Sequence, residues 1–281
     1  MDLELERRVR FGPDFARRLG LLVASRSPGG RAFGGAGRGL DAGHELEALR
    51  AWREGDDPRR HDWAASARAG EPIARVVRGE SSPERLVLLD ASLSMAAGRP
   101  GKLQLAAELA AFATAEALHA GGRVHLRACG ARERDVLLAG RQELPRALHF
   151  LEAVEAEGRL EASMLARRLV EQGEAWVLGD WTTIEPAALC AHRPRGGLRA
   201  VLVLAPEERD PSPADGVRWV DPETGERRAA RVDFASKQAY QASLARELEL
   251  RARSFACARS SFVACGSDEP FERVARRVGG A

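Results

Sequence analysis

The sequence is poor in the residues that bind transition metals or that cross-link small secreted proteins through disulfide bonds. It contains only four cysteines among 281 residues, and none of them forms a Cys-x-x-Cys pair. Zinc clusters and disulfide frameworks need closer or paired spacing, so we expect buried free thiols in a reducing compartment. The six histidines are scattered as well, with no two at the spacing of metal ligands or of a nucleophile and its base.

Charge and hydrophobicity argue against two further classes of protein, namely nucleic-acid-binding proteins and integral membrane proteins. The chain has 43 basic and 41 acidic residues, a formal net charge of +2, whereas a nucleic-acid-binding surface needs a one-sided basic excess. No stretch approaches the roughly 18 apolar residues that a membrane span requires, and no signal peptide is visible at the N-terminus. The sequence therefore predicts a cytoplasmic protein with no nucleic-acid partner and no integral membrane segment.

The sequence also lacks the common signatures of catalysis. There is no Gly-x-Ser-x-Gly elbow and no P-loop. A glycine-rich stretch at residues 25–43 is not followed by Gly-Lys-Ser or Gly-Lys-Thr, so we interpret it as a turn-rich surface loop rather than a phosphate-binding loop. These absences favour a protein that is not an enzyme.

The most informative segment is a short apolar strand that ends in polar residues. Residues 86–89 read Leu-Val-Leu-Leu, a run typical of a parallel strand that is buried on both faces. Asp90, Ser92 and Ser94 follow at every second position, and a helix is expected from Lys102 to Ala120. Because doubly wound sheets bind ligands at the carboxyl ends of their strands, this order places one carboxylate and two hydroxyls at a crevice. Oxygen ligands of this kind suit Mg²⁺.

Strands and helices alternate through the rest of the chain, which predicts an α/β fold with a doubly wound, mostly parallel sheet flanked by helices. A second apolar strand, at residues 175–178, ends at Gly179-Asp180 in the same way as the first ends at Asp90. A β-hairpin is expected over residues 217–232, followed by a long helix that Ser236 caps. Further strands are expected at residues 71–78, 124–128, 135–138, 199–204 and 261–264, and further helices at residues 144–154, 161–171, 185–191 and 269–278.

Two motifs together carry a resemblance to known families. Asp90-x-Ser92-x-Ser94 after an apolar strand resembles the metal-ion-dependent adhesion site of von Willebrand factor A domains. With the upstream segment that begins Gly55-Asp56-Asp57-Pro58-Arg59, nearly the whole chain resembles the domain-of-unknown-function family fifty-eight. This resemblance implies an N-terminal extension at residues 1–82 and a von Willebrand factor A-like domain at residues 83–281, with the β-hairpin as an insertion.

The resemblance also implies a set of metal ligands. Ser92 and Ser94 would bind the ion directly, Asp90 would act mainly through water, and Asp180 would supply the second acid. The implied ion is Mg²⁺ or Mn²⁺. The alternative is that Asp90 and the serines only satisfy backbone groups at a strand-to-helix junction, which such side chains commonly do.

The third loop of the adhesion-site pattern departs from the family. The threonine that this loop normally supplies is missing. The sequence has one threonine between Asp90 and Asp180, namely Thr114, and it lies inside the helix that starts at Lys102. Glu161 or Ser163 are possible substitute ligands, whereas Arg159 adds a positive charge that opposes a cation. We therefore expect a weakly held ion, completed by a carboxylate of a partner.

The upstream motif is open to two interpretations. It is either an interaction surface that the family shares or a capped turn that leads into a short helix containing residues 61–67. Trp63 is expected to be a packing anchor. The residues of this candidate segment are Gly55, Asp56, Asp57, Arg59, Asp62 and Trp63.

The function predicted from these features is a non-enzymatic protein-interaction module with a degenerate metal-ion-dependent adhesion site. Members of the resembling family are similar to proteins encoded beside MoxR-type AAA+ ATPases, so the implied partner is such an ATPase or a component of its complex. Two alternatives stay open. One is a metal-dependent phosphohydrolase in which Asp90 is the nucleophile or a metal ligand, and the other is a structural subunit with a vestigial metal site.

Overall fold

A computed structural model describes residues 7–26, 46–52, 61–77, 84–160, 173–181, 184–194, 196–258 and 260–280. The chain divides into two compact units, a larger one of Met1–Gly35 and Pro83–Ala281 and a smaller one of Ala36–Ser82. Residues at both ends of the chain thus belong to the larger unit.

The described helices and strands alternate along the larger unit, as the sequence predicts. The smaller unit contains an antiparallel pair of strands, β1 and β2, and one helix, α2. In chain order the elements are α1 (Phe15–Ser25), β1 (Leu46–Ala51), α2 (Trp63–Ala69), β2 (Ile73–Val77), β3 (Glu84–Asp90), α3 (Lys102–His119), β4 (Arg123–Cys129), β5 (Arg134–Ala139), α4 (Leu144–Glu152), β6 (Glu174–Gly179), α5 (Pro186–Ala191), β7 (Leu198–Leu204), α6 (Pro206–Arg209), β8 (Ala214–Val220), β9 (Arg227–Val232), α7 (Phe234–Cys257), β10 (Ser261–Gly266) and α8 (Phe271–Gly280).

The larger unit is built on a six-stranded sheet with the strand order β10-β7-β6-β3-β4-β5. All neighbouring strands are parallel except β5, which is antiparallel to β4 and lies at one edge. Strand β3 lies between β4 and β6, so its Leu88 is aligned with Arg127 on one side and Val177 on the other. The predicted doubly wound, mostly parallel α/β fold is confirmed, with β3 as a central strand.

The apolar run of β3 is explained by burial on both faces of the sheet. Val87 and Leu89 belong to the hydrophobic cluster formed with α1, α3, α4 and α8. Leu86 and Leu88 belong to a second cluster on the other face, together with Trp181 and with residues of α5 and α7. Successive side chains of a strand point to opposite faces, so a strand covered on both sides must be apolar at every position.

Two local predictions need correction. Ser236 does not cap the long helix α7: the helix begins at Phe234, and Asp233 is its N-cap, accepting the backbone N–H of Ser236 at 2.8 Å. Oγ of Ser236 in turn accepts the backbone N–H of Asp233 at 2.9 Å, which completes a capping box. The short helix α2 begins at Trp63 rather than at His61, because Asp62 accepts the N–H of Ala65 at 2.9 Å and caps it.

None of the described helices is both long enough and apolar enough to cross a membrane.

A buried ion network holds together the amino ends of the central strands. The guanidinium of Arg85, on β3, contacts Glu116 at 3.0 Å and Glu174 at 2.6 Å. Arg199, on β7, contacts the same Glu174 at 2.7 Å. Both guanidiniums lie over the ring of Trp176, at 5.2 and 5.3 Å from its centroid. The network therefore links α3, β3, β6 and β7 at the edge of the sheet opposite to the strand ends that carry Asp90 and Asp180.

Replacing Arg85 with Met should lower the free energy of unfolding by about 3 kcal/mol, because the buried Glu174 and the partly buried Glu116 each lose one cationic partner. The matched control is Arg123→Met, at the start of the neighbouring strand, where an exposed pair with Glu84 at 3.8 Å should contribute less than about 1 kcal/mol. Urea denaturation of the two variants measures the difference. Equal losses in both variants would show that the network does not stabilise the sheet.

Candidate functional site

The two acids predicted to share a crevice do meet at the carboxyl edge of the sheet. Asp90 is the last residue of β3, and Asp180 follows directly after β6, the strand paired with β3. The backbone N–H of Asp180 donates to Oδ2 of Asp90 at 3.2 Å, and the N–H of Ser92 donates to Oδ1 at 2.9 Å. The first of these bonds joins the ends of the two strands through the carboxylate of Asp90. Asp90 is also almost fully buried, at 2% exposure.

Close approach of the two strand ends depends on a glycine. A Cβ atom at Gly179 would lie 2.1 Å from Cβ of Asp90, a distance that two non-bonded carbon atoms cannot tolerate. The residue between the apolar strand and Asp180 therefore has to lack a side chain, so that the carboxylate of Asp90 reaches the backbone N–H of Asp180.

The two serines of the motif lie beside Asp90. Ser92 is buried, Ser94 is half-buried, and their hydroxyl oxygens are 3.0 Å apart. A short 3₁₀ turn, Leu93–Ala96, follows Ser92, and the N–H of Leu93 donates to the carbonyl of Gly158 at 3.0 Å. The Asp-x-Ser-x-Ser loop is therefore held by the neighbouring loop at residues 157–158, and its hydroxyls are kept at the edge of the sheet.

Two charged residues that the sequence analysis did not assign to the site complete it. Lys102, the first residue of α3, has a fully buried side chain whose ammonium contacts Oδ2 of Asp180 and lies 2.6 Å from Oε1 of Glu208. Glu208 lies on α6, just beyond the end of β7, and its other oxygen accepts the N–H of Ala205 at 2.7 Å. Three neighbouring parallel strands, β3, β6 and β7, are thus each followed or ended by an acid, and these acids are linked in a chain: Asp90 to the backbone of Asp180, and Asp180 through Lys102 to Glu208. We call Asp90, Ser92, Ser94, Lys102, Asp180 and Glu208 the carboxyl-edge site.

The sequence did contain indications of both residues. Lys102 is one of only two lysines in a chain whose other basic residues are arginine, and it lies directly after the motif loop. Glu208 follows the apolar strand at residues 198–204 within four positions, which is a third example of a buried strand followed by an acid.

Burial controls the protonation of the site. Burial raises the pKa of Asp90 to about 7, although its hydrogen bonds with Ser92 lower it. Burial also raises the pKa of Glu208 against the attraction of Lys102. For Lys102, burial favours the neutral amine, but the charges of Asp180 and Glu208 outweigh it and the pKa is raised. Near neutral pH, Asp90 is therefore a mixture of acid and carboxylate, while Lys102 is an ammonium.

The donor atoms of the site fit a hard cation by type but not by charge. Two carboxylates and two hydroxyls are the oxygen ligands that Mg²⁺ and Mn²⁺ take. However, Asp180 is already neutralised by Lys102, and both oxygens of Asp90 accept backbone N–H groups. Within the described ranges, no three His, Cys, Asp or Glu side chains are grouped as metal ligands. A divalent ion would have to compete with the ammonium of Lys102, so the expected ion stays a prediction.

The other candidate residues lie elsewhere or outside the described ranges. Glu161 and Ser163 are outside the described residues, as are Gly55, Asp56, Asp57 and Arg59. Thr114 is buried within α3, as expected, and Arg159 pairs with Glu223 at 3.5 Å. In the smaller unit, Trp63 is 78% exposed, and its one aromatic contact among the described residues is an edge contact with His61, with ring centroids 4.0 Å apart. The expectation that Trp63 is a packing anchor is therefore wrong, because it is the first residue of α2 and its side chain points to solvent.

The geometry defines a class of protein, namely a doubly wound α/β protein with a buried, charged site at the carboxyl edge of its parallel sheet. A family model described as protein of unknown function DUF58 matches residues 48–249. The chain belongs to this family.

Comparison with solved structures gives matches at low sequence identity. One is the conserved hypothetical protein BatB from Bacteroides thetaiotaomicron, with 16% identity and a TM-score of 0.41. Another is an aerotolerance-related membrane protein from Bacteroides fragilis, with 15% identity and a TM-score of 0.43. Each match covers 71% of this chain and 98% of the other. No curated protein matches the chain.

Replacing Gly179 with Ala should destabilise the protein by about 3 kcal/mol, because the added methyl group overlaps Asp90 and forces the ends of β3 and β6 apart. The control is Gly20→Ala in α1, where an added Cβ meets no atom within 4 Å and should stabilise the helix by about 0.5–1 kcal/mol. Thermal unfolding followed by circular dichroism measures both changes. A Gly179→Ala protein as stable as the wild type would contradict the close approach of the two strands.

Proposed function

We propose that this protein is a non-enzymatic protein-interaction module that binds a partner at the carboxyl-edge site. The observation that carries the proposal is the buried ammonium of Lys102, which is held between Asp180 and the partly exposed Glu208. Buried ion pairs add little to stability compared with apolar residues of similar size. Charges gathered at the ligand-binding edge of a doubly wound sheet are therefore better explained by recognition than by folding alone.

The partner that we propose is a MoxR-type AAA+ ATPase or another component of its complex, for which this chain is an adaptor. This part of the proposal rests on the family resemblance. The site supports the general kind of contact, because a carboxylate on the partner would find a cation and two hydroxyl groups at one edge of the sheet.

We further propose that Mg²⁺ or Mn²⁺ binds weakly at Asp90, Ser92, Ser94 and Asp180. These residues supply oxygen donors, and the ion would add to the attraction that the ammonium of Lys102 exerts on an acidic side chain of the partner. Its binding is weak because Lys102 competes for Asp180.

Capture of the ATPase tests the proposal directly. Asp90→Asn should reduce capture of a purified MoxR-type AAA+ ATPase from the same genome by about tenfold while the variant stays folded. The amide nitrogen of Asn cannot accept one of the two backbone N–H groups that Asp90 now accepts, so the ends of β3 and β6 shift. A pull-down with each protein immobilised measures capture, and circular dichroism measures folding.

The control for this experiment is Asp14→Asn, which makes the same replacement of a carboxylate oxygen by an NH₂ group in an exposed acid at the start of α1 and should not affect capture. Equal capture by wild type and Asp90→Asn would reject the proposed site. Repeating the wild-type pull-down with a chelator separates the two cations: loss of capture assigns the contact to a divalent ion, and unchanged capture assigns it to Lys102.

The contact of Lys102 with Asp180 also favours a second candidate, a metal-dependent phosphohydrolase, which would use a lysine beside its acids. Against it, Asp90 is 2% exposed and both its oxygens are engaged by backbone N–H groups, so it is poorly placed to attack a phosphoester. We expect no turnover of p-nitrophenyl phosphate with Mg²⁺ or Mn²⁺. Turnover that disappears in Asp90→Asn would establish the enzyme instead. Capture that is intact in Asp90→Asn, together with no turnover and no binding of Mg²⁺ or Mn²⁺ in calorimetry, would show that the site is structural.

A further inference from the structure

The two carboxylates that hold Lys102 differ in how firmly they are fixed. Asp180 is 9% exposed, follows directly after β6, and donates its N–H to Asp90. Glu208 is 34% exposed and lies on a helix of only four residues, Pro206–Arg209. Asp180 is therefore a permanent partner of Lys102, whereas the carboxylate of Glu208 has a path to solvent.

A cavity lies beside Glu208. Its volume is about 400 Å³, and Glu208 is part of its wall. The other lining residues come from the α6 segment, from β9 and from the first turns of α7; they are Glu207, Pro211, Arg231, Val232, Ser236, Lys237 and Tyr240. A cavity of this size accommodates an amino-acid side chain with its neighbouring backbone.

An acidic guest is favoured once Glu208 has moved aside, because the ammonium of Lys102 then keeps Asp180 but loses its second carboxylate partner. The lining contributes two bases, Arg231 and Lys237, and one further acid, Glu207, and Lys237 also pairs with Asp210 at 2.6 Å. Val232, Pro211 and the ring of Tyr240 offer apolar contacts to the stem of the incoming side chain. Glutamate, with a carboxylate on a short apolar stem, matches this arrangement.

We propose that Lys102 is the built-in cation of the carboxyl-edge site and that Glu208 occupies the position taken by an acidic side chain of the protein partner. Docking then exchanges one carboxylate for another on Lys102, with no bond made or broken and no metal ion required. Glu208 is a competitor carried by the chain itself, which keeps the buried ammonium neutralised until the partner arrives. This inference rests on the proposed function, since it names the group that the partner contacts.

Glu208→Gln tests the exchange. Gln keeps the shape of the side chain but removes the competing charge, so the affinity for the AAA+ ATPase should rise by about tenfold. The control is Glu249→Gln, which removes the same charge from an exposed residue of α7 that lies outside the lining of the cavity; it should change the affinity by less than about twofold. Surface plasmon resonance in a buffer containing chelator measures both. An affinity that is unchanged or lowered in Glu208→Gln overturns the exchange.

A second measurement needs no partner. Lys102→Met should bind Mn²⁺ at least about tenfold more tightly than the wild type, because the oxygen donors lose the ammonium that competes with the ion. Calorimetry with Mn²⁺ alone measures the affinity, and Lys102→Gln repeats the test should the Met variant fail to fold. Equal Mn²⁺ affinity in the variants and the wild type overturns the role of Lys102.

The two experiments separate this inference from the proposed function. If Asp90→Asn loses capture while Glu208→Gln changes nothing, the interaction site is retained and the exchange is rejected. If the wild type captures no ATPase, the proposed partner is rejected, and the Mn²⁺ measurement still decides whether Lys102 is the cation of the site.

Discussion

The ion pair between Lys102 and Asp180 determines how the carboxyl edge of the sheet is built. An ammonium with no exposed surface is stable only with carboxylates against it, because removing a charge from water costs several kcal/mol. This requirement brings the start of α3 to the end of β6 and draws in Glu208 from beyond β7. Asp90 then joins β3 to the same place through the backbone of Asp180. Fold and site therefore depend on the same few contacts.

The sheet and half of the site could be predicted because their causes are local. The apolar run at residues 86–89 identifies a strand covered on both faces, and the alternate residues do enter two separate hydrophobic clusters. Carboxyl ends of parallel strands lie at one edge, so Asp90 and Asp180 were expected to meet, and the N–H of one donates to the carboxylate of the other. The predicted N-cap of α7 is three residues too late, because Asp233 and Ser236 are both good capping residues. Only the hydrogen bonds between them show that Asp233 is the N-cap.

The other half of the site could not be predicted because it depends on distant pairs. Lys102 is 78 residues from Asp180 and 106 residues from Glu208 in the sequence. No periodicity or motif reports such a pairing; it follows only from the order in which β3, β6 and β7 lie in the sheet. The exposure of Trp63 was missed for a related reason. Aromatic residues are usually buried, and only the position of Asp62 as the N-cap places Trp63 at the first turn of α2 with its ring outward.

A site that carries its own cation differs from a metal site in what controls it. A bound ion makes affinity depend on ion concentration, whereas an ammonium that is covalently part of α3 is always present. The affinity for the partner is then controlled by the group that neutralises the ammonium. Asp180 is fixed by its strand, so Glu208 is the variable element, and its position depends on the four-residue helix α6 and on the contact of its carbonyl with the hydroxyl of Tyr240 at 2.5 Å. Any rearrangement of α6 relative to α7 therefore acts on the availability of Lys102.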